Sequence, residues 1–482
     1  MEFCKIKIYA NSHILHIYGV SETKEAKNRE LNSLEEAYKD LPIQGSPKWL
    51  YNRGYIIGGS EMNTIIGHNP YSSLKAWVAS KININPPFDG NLFTRWGKLF
   101  EIITTSLTEV MLNMDGEIKE FGSIPCCTRS GISYSPDGIG IVELDCIKDN
   151  NKINKENLMV LFEFKSPFST IPMGIIPNQY VSQGLTGMCS IPNIDITLFI
   201  NNLYRKCSLD QFQYTNEYDT AFHYGDKTKK YKAGNPISLG MIYFYMTDDQ
   251  MAKYMSEQGL NIESDASDND QNSDIDIDMD MDMNMNNISQ RQYKTLADKI
   301  LTCIQDGEPM DLGISNRSGL DEILVLLEKD VISVHYDAPY IIKSELGQIP
   351  FLTSQGLSYM NLNSDRNSQN KIIHNIKNIK TKFERLCKKQ TEKNKRQKKF
   401  NKSIIGVLPW KLFKCDIIPQ EKNIDFLNQN KEHIDKALGI LEQINQGDPD
   451  ISTKRERYNK IFGISKPASE EFKVPDSFYH FD

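Results

Sequence analysis

The chain of 482 residues carries 56 Lys and Arg against 63 Asp and Glu, a net charge of −7, and 39% of its residues are hydrophobic. This composition supports a buried core and excludes a wholly disordered chain. The absence of any apolar run of about 18 residues excludes a membrane-spanning helix. The first twenty residues lack the layout of a secretory signal, and the nine cysteines lack metal-ligand spacing. These features predict an intracellular protein with reduced thiols and no membrane association.

Predicted helices and strands alternate along the chain. Helical patterns cover 22–42, 59–67 and 96–112, and apolar runs that predict strands cover 157–164, 194–203 and 239–246. Farther on, Ile404–Ile418 predicts a strand pair broken by Pro409. Gln429–Ile444 then predicts a helix with one apolar face, formed by Ile434, Leu438, Leu441 and Ile444. This alternation is typical of an α/β fold interrupted by large insertions.

Two segments carry opposite, concentrated charge. Residues 263–287 contain nine acids and no base, which predicts a disordered linker. Residues 371–402 contain thirteen Lys and Arg against two Glu, together with an apolar stripe formed by Ile372, Ile376, Ile379, Phe383 and Leu386. This amphipathic helix is either a solvated surface helix packed by its stripe or an arm that contacts DNA phosphates. The two segments carry −9 and +11, so the remaining residues carry −9, and net charge is a poor guide to the partner.

These shifts in composition divide the chain into six segments. We expect an N-terminal extension with a polar helix (1–44), a core (45–262), an acidic disordered linker (263–290), an insertion ending in the basic amphipathic helix (291–402), a returning core strand and helix (403–447) and a C-terminal tail (448–482).

The sequence NLMVLFEFKSP, ending at Pro167, combines a buried strand with charge. Leu158 through Phe162 is continuously apolar, as in a strand covered on both faces. Glu163 and Lys165 lie two residues apart, so both point to the same side of the strand. Charges on a buried strand are costly unless each finds a partner or a metal. The plainer interpretation is a strand end that emerges into solvent with a weak ion pair.

A turn aspartate precedes this strand. In GISYSPDGIGIV, Asp137 lies in a tight turn between two apolar segments. It is either an ordinary turn residue or a second carboxylate that joins Glu163 and Lys165. Carboxylate oxygens suit Mg²⁺, which keeps several waters and is completed by substrate phosphate. The second interpretation therefore predicts metal-dependent hydrolysis of phosphodiester bonds.

Several motifs occur in an order that resembles one family. They are RGYIIGGSE at 53–61 with IIGHNPYSSLKAW after it, Trp96-Gly97 with Glu101, SPDG with Asp137, Glu163-Phe164-Lys165 with Ser166-Pro167, and YVSQGLTGM at 180–188. This set resembles the YqaJ-like viral recombinases, which are relatives of the phage lambda exonuclease with the PD-(D/E)xK nuclease fold. GVLPWKLFKCDII and the helix after it resemble later core elements of members from large DNA viruses. The resemblance implies a mixed central sheet flanked by helices, with large insertions.

The resemblance also implies roles for single residues. Asp137, Glu163 and the Phe164 carbonyl would bind the metal, and Lys165 would position the attacking water. Glu101 resembles the helix glutamate that holds or tunes a second metal. It also lies with Thr104, Thr105 and Thr108 on what its sequence predicts to be the polar face of a helix, which is the alternative interpretation.

Two further sets of positions match the family. Gln183 resembles the glutamine that orients active-site groups, with Tyr180 one turn before it. Arg53 and Ser60 resemble the pair that holds a 5′-phosphate, although Arg53 is alternatively a plain surface arginine. The sequence departs from the family at Leu185, where a second glutamine is common, and at the polar insertion 149–157. These departures affect the assignment of the substrate contacts more than the assignment of the metal site.

The resemblance implies a Mg²⁺-dependent deoxyribonuclease, with Mn²⁺ as an alternative ion, acting 5′→3′ on double-stranded DNA ends in viral recombination, repair or genome processing. It also implies a single-strand annealing protein as a partner, and it is compatible with a homo-oligomer. The host cytoplasm, including viral factories, or the nucleus would be its location, with the virion as an alternative. A different class stays open: a catalytically inactive nuclease-fold protein that binds or packages DNA in a virion. An endonuclease on the same fold is a third possibility.

Overall fold

The computed structural model describes residues 22–42, 44–83, 90–112, 114, 116–147, 153–208, 221–224, 226–232, 238–257, 299–300, 302–303, 309–313, 317–336, 340–341 and 402–464. The acidic segment 263–290 and the basic segment 371–401 lie outside these residues. The linker and the basic amphipathic helix therefore stay predictions.

Eleven α-helices and thirteen strands make up the described parts of the chain. The helices are α1 (Lys24–Tyr38), α2 (Pro47–Arg53), α3 (Met62–Ile65), α4 (Leu74–Lys81), α5 (Leu92–Met111), α6 (Asn178–Ser190), α7 (Asp248–Glu257), α8 (Arg317–Glu328), α9 (Phe426–Gln429), α10 (Lys431–Asn445) and α11 (Ile451–Ile461). The strands are β1 (Ile57–Gly58), β2 (Ile124–Pro125), β3 (Ile132–Tyr134), β4 (Gly138–Ile147), β5 (Ile153–Lys165), β6 (Ile196–Lys206), β7 (Ala221–Tyr224), β8 (Asp226–Lys232), β9 (Ser238–Thr247), β10 (Met310–Asp311), β11 (Ser333–Tyr336), β12 (Tyr340–Ile341) and β13 (Lys402–Glu421). None of these helices is long and apolar enough to cross a membrane.

A mixed central sheet organises the fold. Its strands lie in the order β11-β9-β13-β6-β5-β4, with β10 beside β13 and β12 beside β9. The β5–β6 and β10–β13 pairs are parallel, and the other pairs are antiparallel. A small sheet of order β1-β3-β2 and the β7–β8 hairpin complete the strands. The predicted α/β fold, a mixed central sheet flanked by helices, is confirmed. Its assignment to the PD-(D/E)xK nuclease core stays a prediction.

Strand β5 packs against helices on both of its faces. Leu158, Val160, Phe162 and Phe164 belong to one cluster with α5 and α8. Met159 and Leu161 face the other way and pack against α1 and α6. Because side chains alternate along a strand, Glu163 and Lys165 continue the second face, toward α6. The predicted strand buried on both faces is confirmed, and burial of each such apolar side chain contributes roughly 1.5–3 kcal/mol.

The prediction of a strand pair broken by Pro409 is wrong, because β13 is one continuous strand from Lys402 to Glu421. It pairs with β9 over 402–412 and with β6 over 410–421. The carbonyl of Pro409 accepts a hydrogen bond from the Cys207 amide, just beyond the end of β6. The ring nitrogen faces the same side, at the end of the ladder with β6. Proline therefore omits only the reciprocal bond of this last pair, and the strand continues through it.

The other predicted elements are present with shifted ends. The helix predicted over 22–42 is α1, and the one predicted over 96–112 begins earlier, at Leu92. The pattern over 59–67 forms a 3₁₀ turn (Gly59–Glu61) followed by α3. The helix predicted over Gln429–Ile444 is divided between α9 and α10.

Part of the segment 291–402 contributes to the central sheet and its cover. Strands β10, β11 and β12 pair with β13 or β9. Helix α8 lies against α5, where Arg95 binds Glu328 at 2.8 Å and Asp321 at 3.1 Å. These contacts make the described part of the segment structural support for the sheet.

Candidate active site

Asp137 and Glu163 lie on neighbouring strands at one end of the central sheet. Asp137 directly precedes β4, and Glu163 lies near the end of β5, where Gly138 pairs with Phe162. The backbone amide of Phe164 donates a hydrogen bond of 2.8 Å to Asp137 Oδ2. The turn aspartate is therefore bonded to the strand between Glu163 and Lys165, as the second interpretation of the sequence predicts.

Three side chains donate hydrogen bonds to Glu163, which is only 1% exposed. Tyr134 donates to Oε2 at 2.8 Å, Gln183 donates to Oε1 at 2.6 Å, and Lys165 also donates to Oε1. A buried carboxylate needs such donors because it has lost its water. The interpretation of Glu163 and Lys165 as a solvent-exposed strand end is therefore wrong for Glu163.

The charges of this cluster act on one another strongly. Burial, and then the negative charge of Glu163, raises the pKa of Asp137, while Lys165 opposes the rise. Burial would lower the pKa of Lys165, but Glu163 and Asp137 outweigh it and raise that pKa. The two carboxylates thus repel each other in the absence of a bound cation, and the ammonium of Lys165 relieves the repulsion only in part.

Helix α6 brings Tyr180 and Gln183 to the cluster. The Lys165 ammonium lies 5.0 Å from the centre of the Tyr180 ring, and that ring packs against Phe199 at 5.6 Å. A cation over an aromatic face is attracted by the ring, which orients Lys165. The structure therefore gathers Asp137, Glu163, Lys165, Tyr180 and Gln183 at one place.

Glu101 on α5 lies near the cluster. Desolvation by the surrounding protein, together with the charges of Glu120 and Glu163, raises the pKa of Glu101, and Lys165 opposes this rise. The expectation of a polar helix face is wrong for Thr104 and Thr108, which are buried, whereas Glu101 itself is exposed and Thr105 is half-buried. Thr104 hydrogen-bonds Ser166 at 3.1 Å and Tyr204 at 3.0 Å, which locks α5 onto the end of β5.

Charged side chains hold the loop between β5 and α6. Arg205 donates to the carbonyls of Phe168 and Ser169 at 2.6 and 3.1 Å, and Lys414 donates to the carbonyl of Pro172. Asp416 accepts the Gly174 amide at 2.6 Å. These bonds fix the loop that joins Lys165 to Tyr180 and Gln183.

The predicted phosphate residues lie on a separate ionic cluster. Arg53, the last residue of α2, binds Glu61 in the 3₁₀ turn that also carries the exposed Ser60. Glu61 also binds Lys81 at 2.8 Å and accepts the Gly58 amide at 2.8 Å. Two cations therefore share one carboxylate, which leaves a net positive charge beside Ser60. The interpretation of Arg53 as a plain surface arginine is not supported.

Sequence reasoning missed several residues around these two clusters. Tyr134 and Lys81 have no periodicity or motif that would mark them. Trp49 donates from its indole nitrogen to Ser135 at 3.2 Å and lies 4.9 Å from the Arg53 guanidinium, so it joins the SPDG turn to the arginine. Its only sequence signal was its position one turn before Arg53.

The donor set fits a hard cation. Two buried carboxylates on adjacent strands match Mg²⁺, which binds one or two carboxylates and completes its shell with water and phosphate. Within the ranges that the structure describes, no group of three or more His, Cys, Asp or Glu side chains is arranged to hold an ion. A bound ion would therefore also need a backbone carbonyl, such as that of Phe164, and oxygens of water or substrate.

Comparison with known proteins gives distant viral relatives. No protein-family model matches the sequence. A protein of African swine fever virus, from the isolate Tick/Malawi/Lil 20-1/1983, is 27% identical over 246 residues, a match that covers 47% of this chain and 67% of that protein. Its counterpart in the strain Badajoz 1971 Vero-adapted is 27% identical over 205 residues, which covers 39% of this chain and 57% of the relative. The YqaJ-like assignment therefore stays a prediction.

Among solved structures, the comparison finds an alkaline exonuclease (LHK-Exo) from Laribacter hongkongensis. The match covers 32% of this chain and 73% of the exonuclease chain, with 18% sequence identity and a TM-score of 0.25. The same exonuclease in complex with dAMP gives the same values. A likeness of this size carries no argument about activity, which has to come from the geometry of the site.

Proposed function

We propose that this protein is a metal-dependent deoxyribonuclease that degrades double-stranded DNA from its ends in the 5′→3′ direction, with Mg²⁺ or Mn²⁺ as its ion. One observation carries the proposal: the Phe164 amide binds Asp137 between Glu163 and Lys165, so that two carboxylates and an ammonium converge. These are the groups that hydrolysis of a phosphodiester needs, namely cation ligands and a donor for water.

Each residue has a distinct task in the proposed reaction. Asp137, Glu163 and the Phe164 carbonyl hold the ion, which when bound lowers the pKa of a water and neutralises charge on the phosphate oxygens. Lys165 orients the attacking water from its place above Tyr180. Gln183 keeps Glu163 in position. Glu101, at the edge of the cluster, tunes the site or holds a second ion.

The ionic cluster around Arg53 supports action at a DNA end. Arg53 and Ser60 would bind the terminal 5′-phosphate, because a guanidinium fork and a hydroxyl match its oxygens. Glu61 is shared with Lys81, so the cluster keeps a positive charge for the phosphate. Without Lys81, the Arg53–Glu61 pair would be neutral and would attract an anion weakly.

The relatives are proteins of African swine fever virus, which supports a viral origin. The role that we propose is in recombination, repair or genome processing of a large DNA virus. A single-strand annealing protein is the proposed partner, because 5′→3′ degradation of one strand exposes the other strand as single-stranded DNA for that protein to bind. A homo-oligomer around DNA and a place in the host cytoplasm or nucleus belong to the same proposal.

Digestion of three DNA substrates tests the function. Full-length protein is incubated with 5′-phosphorylated linear, 5′-hydroxyl linear and covalently closed circular duplexes, with Mg²⁺, with Mn²⁺ and with EDTA. We expect metal-dependent loss of nucleotides from linear DNA, faster with the 5′-phosphate, and none from the circle. Cutting of the circle would indicate an endonuclease. Binding of DNA without hydrolysis in either metal would indicate the inactive DNA-binding or packaging protein.

A further inference from the structure

Tyr134 contacts Glu163 in the carboxylate cluster and the 3₁₀ turn that contributes Glu61 to the ionic cluster. It ends β3 and is 1% exposed, and its hydroxyl donates to Glu163 Oε2 at 2.8 Å. Its ring lies against Gly59, in the 3₁₀ turn that carries Ser60 and Glu61. One side chain thus joins the carboxylate that would hold the ion to the turn that would hold the phosphate.

The backbone leaves space for the Tyr134 ring on two sides. A Cβ atom at Gly59 would lie 2.3 Å from Tyr134 Cδ2, and one at Gly187 on α6 would lie 2.8 Å from Tyr134 Cζ. Real side chains do not approach so closely. The two glycines therefore permit the ring to fit between the 3₁₀ turn and α6.

Packing of the ring does not explain why residue 134 carries a hydroxyl. Phenylalanine would fill the same space, and it would avoid the cost of burying a hydroxyl. The Tyr134 hydroxyl instead donates a hydrogen bond to Glu163 Oε2, while Gln183 and Lys165 donate to Oε1. The carboxylate is therefore held at both oxygens and cannot rotate freely about its last bond.

We propose that Tyr134 is a positioning residue: its hydroxyl fixes the plane of the Glu163 carboxylate for the metal, and its ring fixes the distance from that carboxylate to the phosphate-binding turn. This inference rests on the proposed function and adds to it a residue outside the metal-site motifs. Groups that orient a metal ligand from behind commonly change metal affinity or activity by about 10–100-fold.

The test compares Tyr134→Phe with wild type in the full-length protein. Mn²⁺ affinity is measured by electron paramagnetic resonance without DNA, and kcat and KM are measured on 5′-phosphorylated duplex. We expect Tyr134→Phe to bind Mn²⁺ roughly tenfold more weakly and to lower kcat at least about tenfold. KM for DNA should stay within about twofold, because the ring that sets the turn is kept. Wild-type Mn²⁺ affinity and kcat in this variant would overturn the proposal.

Tyr204→Phe is the matched control. Tyr204 is equally buried, and its hydroxyl bonds Thr104 at 3.0 Å and Asn202 at 3.1 Å rather than a candidate metal ligand. This variant should keep wild-type Mn²⁺ affinity. An equal loss in both variants would mean that a buried hydroxyl matters only for folding, which also overturns the proposal.

Two further readouts separate the possible failures. If wild type hydrolyses no DNA, the proposed function is wrong, and the Mn²⁺ titration alone decides the role of Tyr134. If Tyr134→Phe does not fold, 3-fluorotyrosine at position 134 replaces it as the probe. Its ¹⁹F resonance should move when Mg²⁺ is added to the folded protein. An unchanged ¹⁹F chemical shift on addition of Mg²⁺ would contradict the coupling between Tyr134 and the metal site.

Discussion

The amide of Phe164 donates a 2.8 Å hydrogen bond to the carboxylate of Asp137, across the gap between β5 and the turn before β4. Because the donor belongs to the backbone of a central strand, the position of Asp137 relative to Glu163 and Lys165 follows from the sheet itself. Side-chain packing then refines this position. The backbone of β5 therefore contributes directly to the arrangement of the candidate site.

Replacing Asp137 with Asn should abolish metal-dependent hydrolysis while keeping the fold. Asn retains an oxygen that can accept the Phe164 amide but loses the charge that binds a cation. Loss of a metal ligand removes several kcal/mol of transition-state stabilisation, so activity should fall at least about 100-fold. Nuclease assays with Mg²⁺ and Mn²⁺ measure the loss.

The same variant should be more stable than wild type in the absence of metal. Burial and Glu163 raise the pKa of Asp137, which means that its charge is unfavourable in the folded protein. Thermal unfolding in EDTA at pH 8 should therefore show a higher Tm for Asp137→Asn. A lower Tm in EDTA would mean that Asp137 stabilises the fold by itself.

Arg53→Gln should remove the preference for a 5′-phosphate. A charge-assisted hydrogen bond contributes roughly 1.5–3 kcal/mol, so the ratio of kcat/KM for 5′-phosphorylated over 5′-hydroxyl ends should fall about 10–100-fold. Arg29→Gln, on the exposed side of α1, is the control and should leave the ratio unchanged. An unchanged ratio in Arg53→Gln would assign the phosphate to other residues.

Lys81 should titrate unusually low. Burial lowers its pKa to about 8, and the charge of Glu61 limits the fall. We therefore expect ¹³C NMR of the lysine Cε to report a pKa near this value in wild type, and a lower one in Glu61→Gln. A value near the ordinary 10.5 would show that water reaches the ammonium.

The same shift predicts how stability depends on pH. Between pH 8 and 10.5 the unfolded chain keeps a proton on Lys81 that the folded protein has lost. The free energy of unfolding of wild type should therefore rise with pH in this window relative to Lys81→Met. Lys75→Met, which removes an exposed lysine of α4, is the control for the loss of a surface charge.

Deleting 371–402 should weaken DNA binding and flatten its dependence on salt, because its thirteen basic residues would release counterions from DNA. This prediction comes from the sequence, and binding isotherms at several NaCl concentrations check it on a deletion variant that stays folded. Deletion of 263–290 removes nine acids instead and should not reduce the slope. The same slope in both deletions would make 371–402 a plain surface helix.

Local patterns were enough to predict much of the fold. Alternation along β5 placed Glu163 and Lys165 on one side, and continuous apolar residues showed that the strand is covered on both faces. The pattern failed at Pro409, because whether a proline breaks a strand depends on where the neighbouring strand ends. It failed also around Glu101, because Thr104 is polar in sequence but bonded inside the protein.

The α/β class, the main strands and the shared side of Glu163 and Lys165 could be predicted from the sequence, because they depend on residue type and on spacing within a few positions. For Asp137 the sequence left two interpretations open, because its partners lie 26 or more positions away. The folded chain alone reveals that Tyr134 and Gln183 hold Glu163 and that Glu61 joins Arg53 to Lys81. These contacts join residues on different elements. Their energies arise from burial and from charges brought close by folding, which no local spacing encodes.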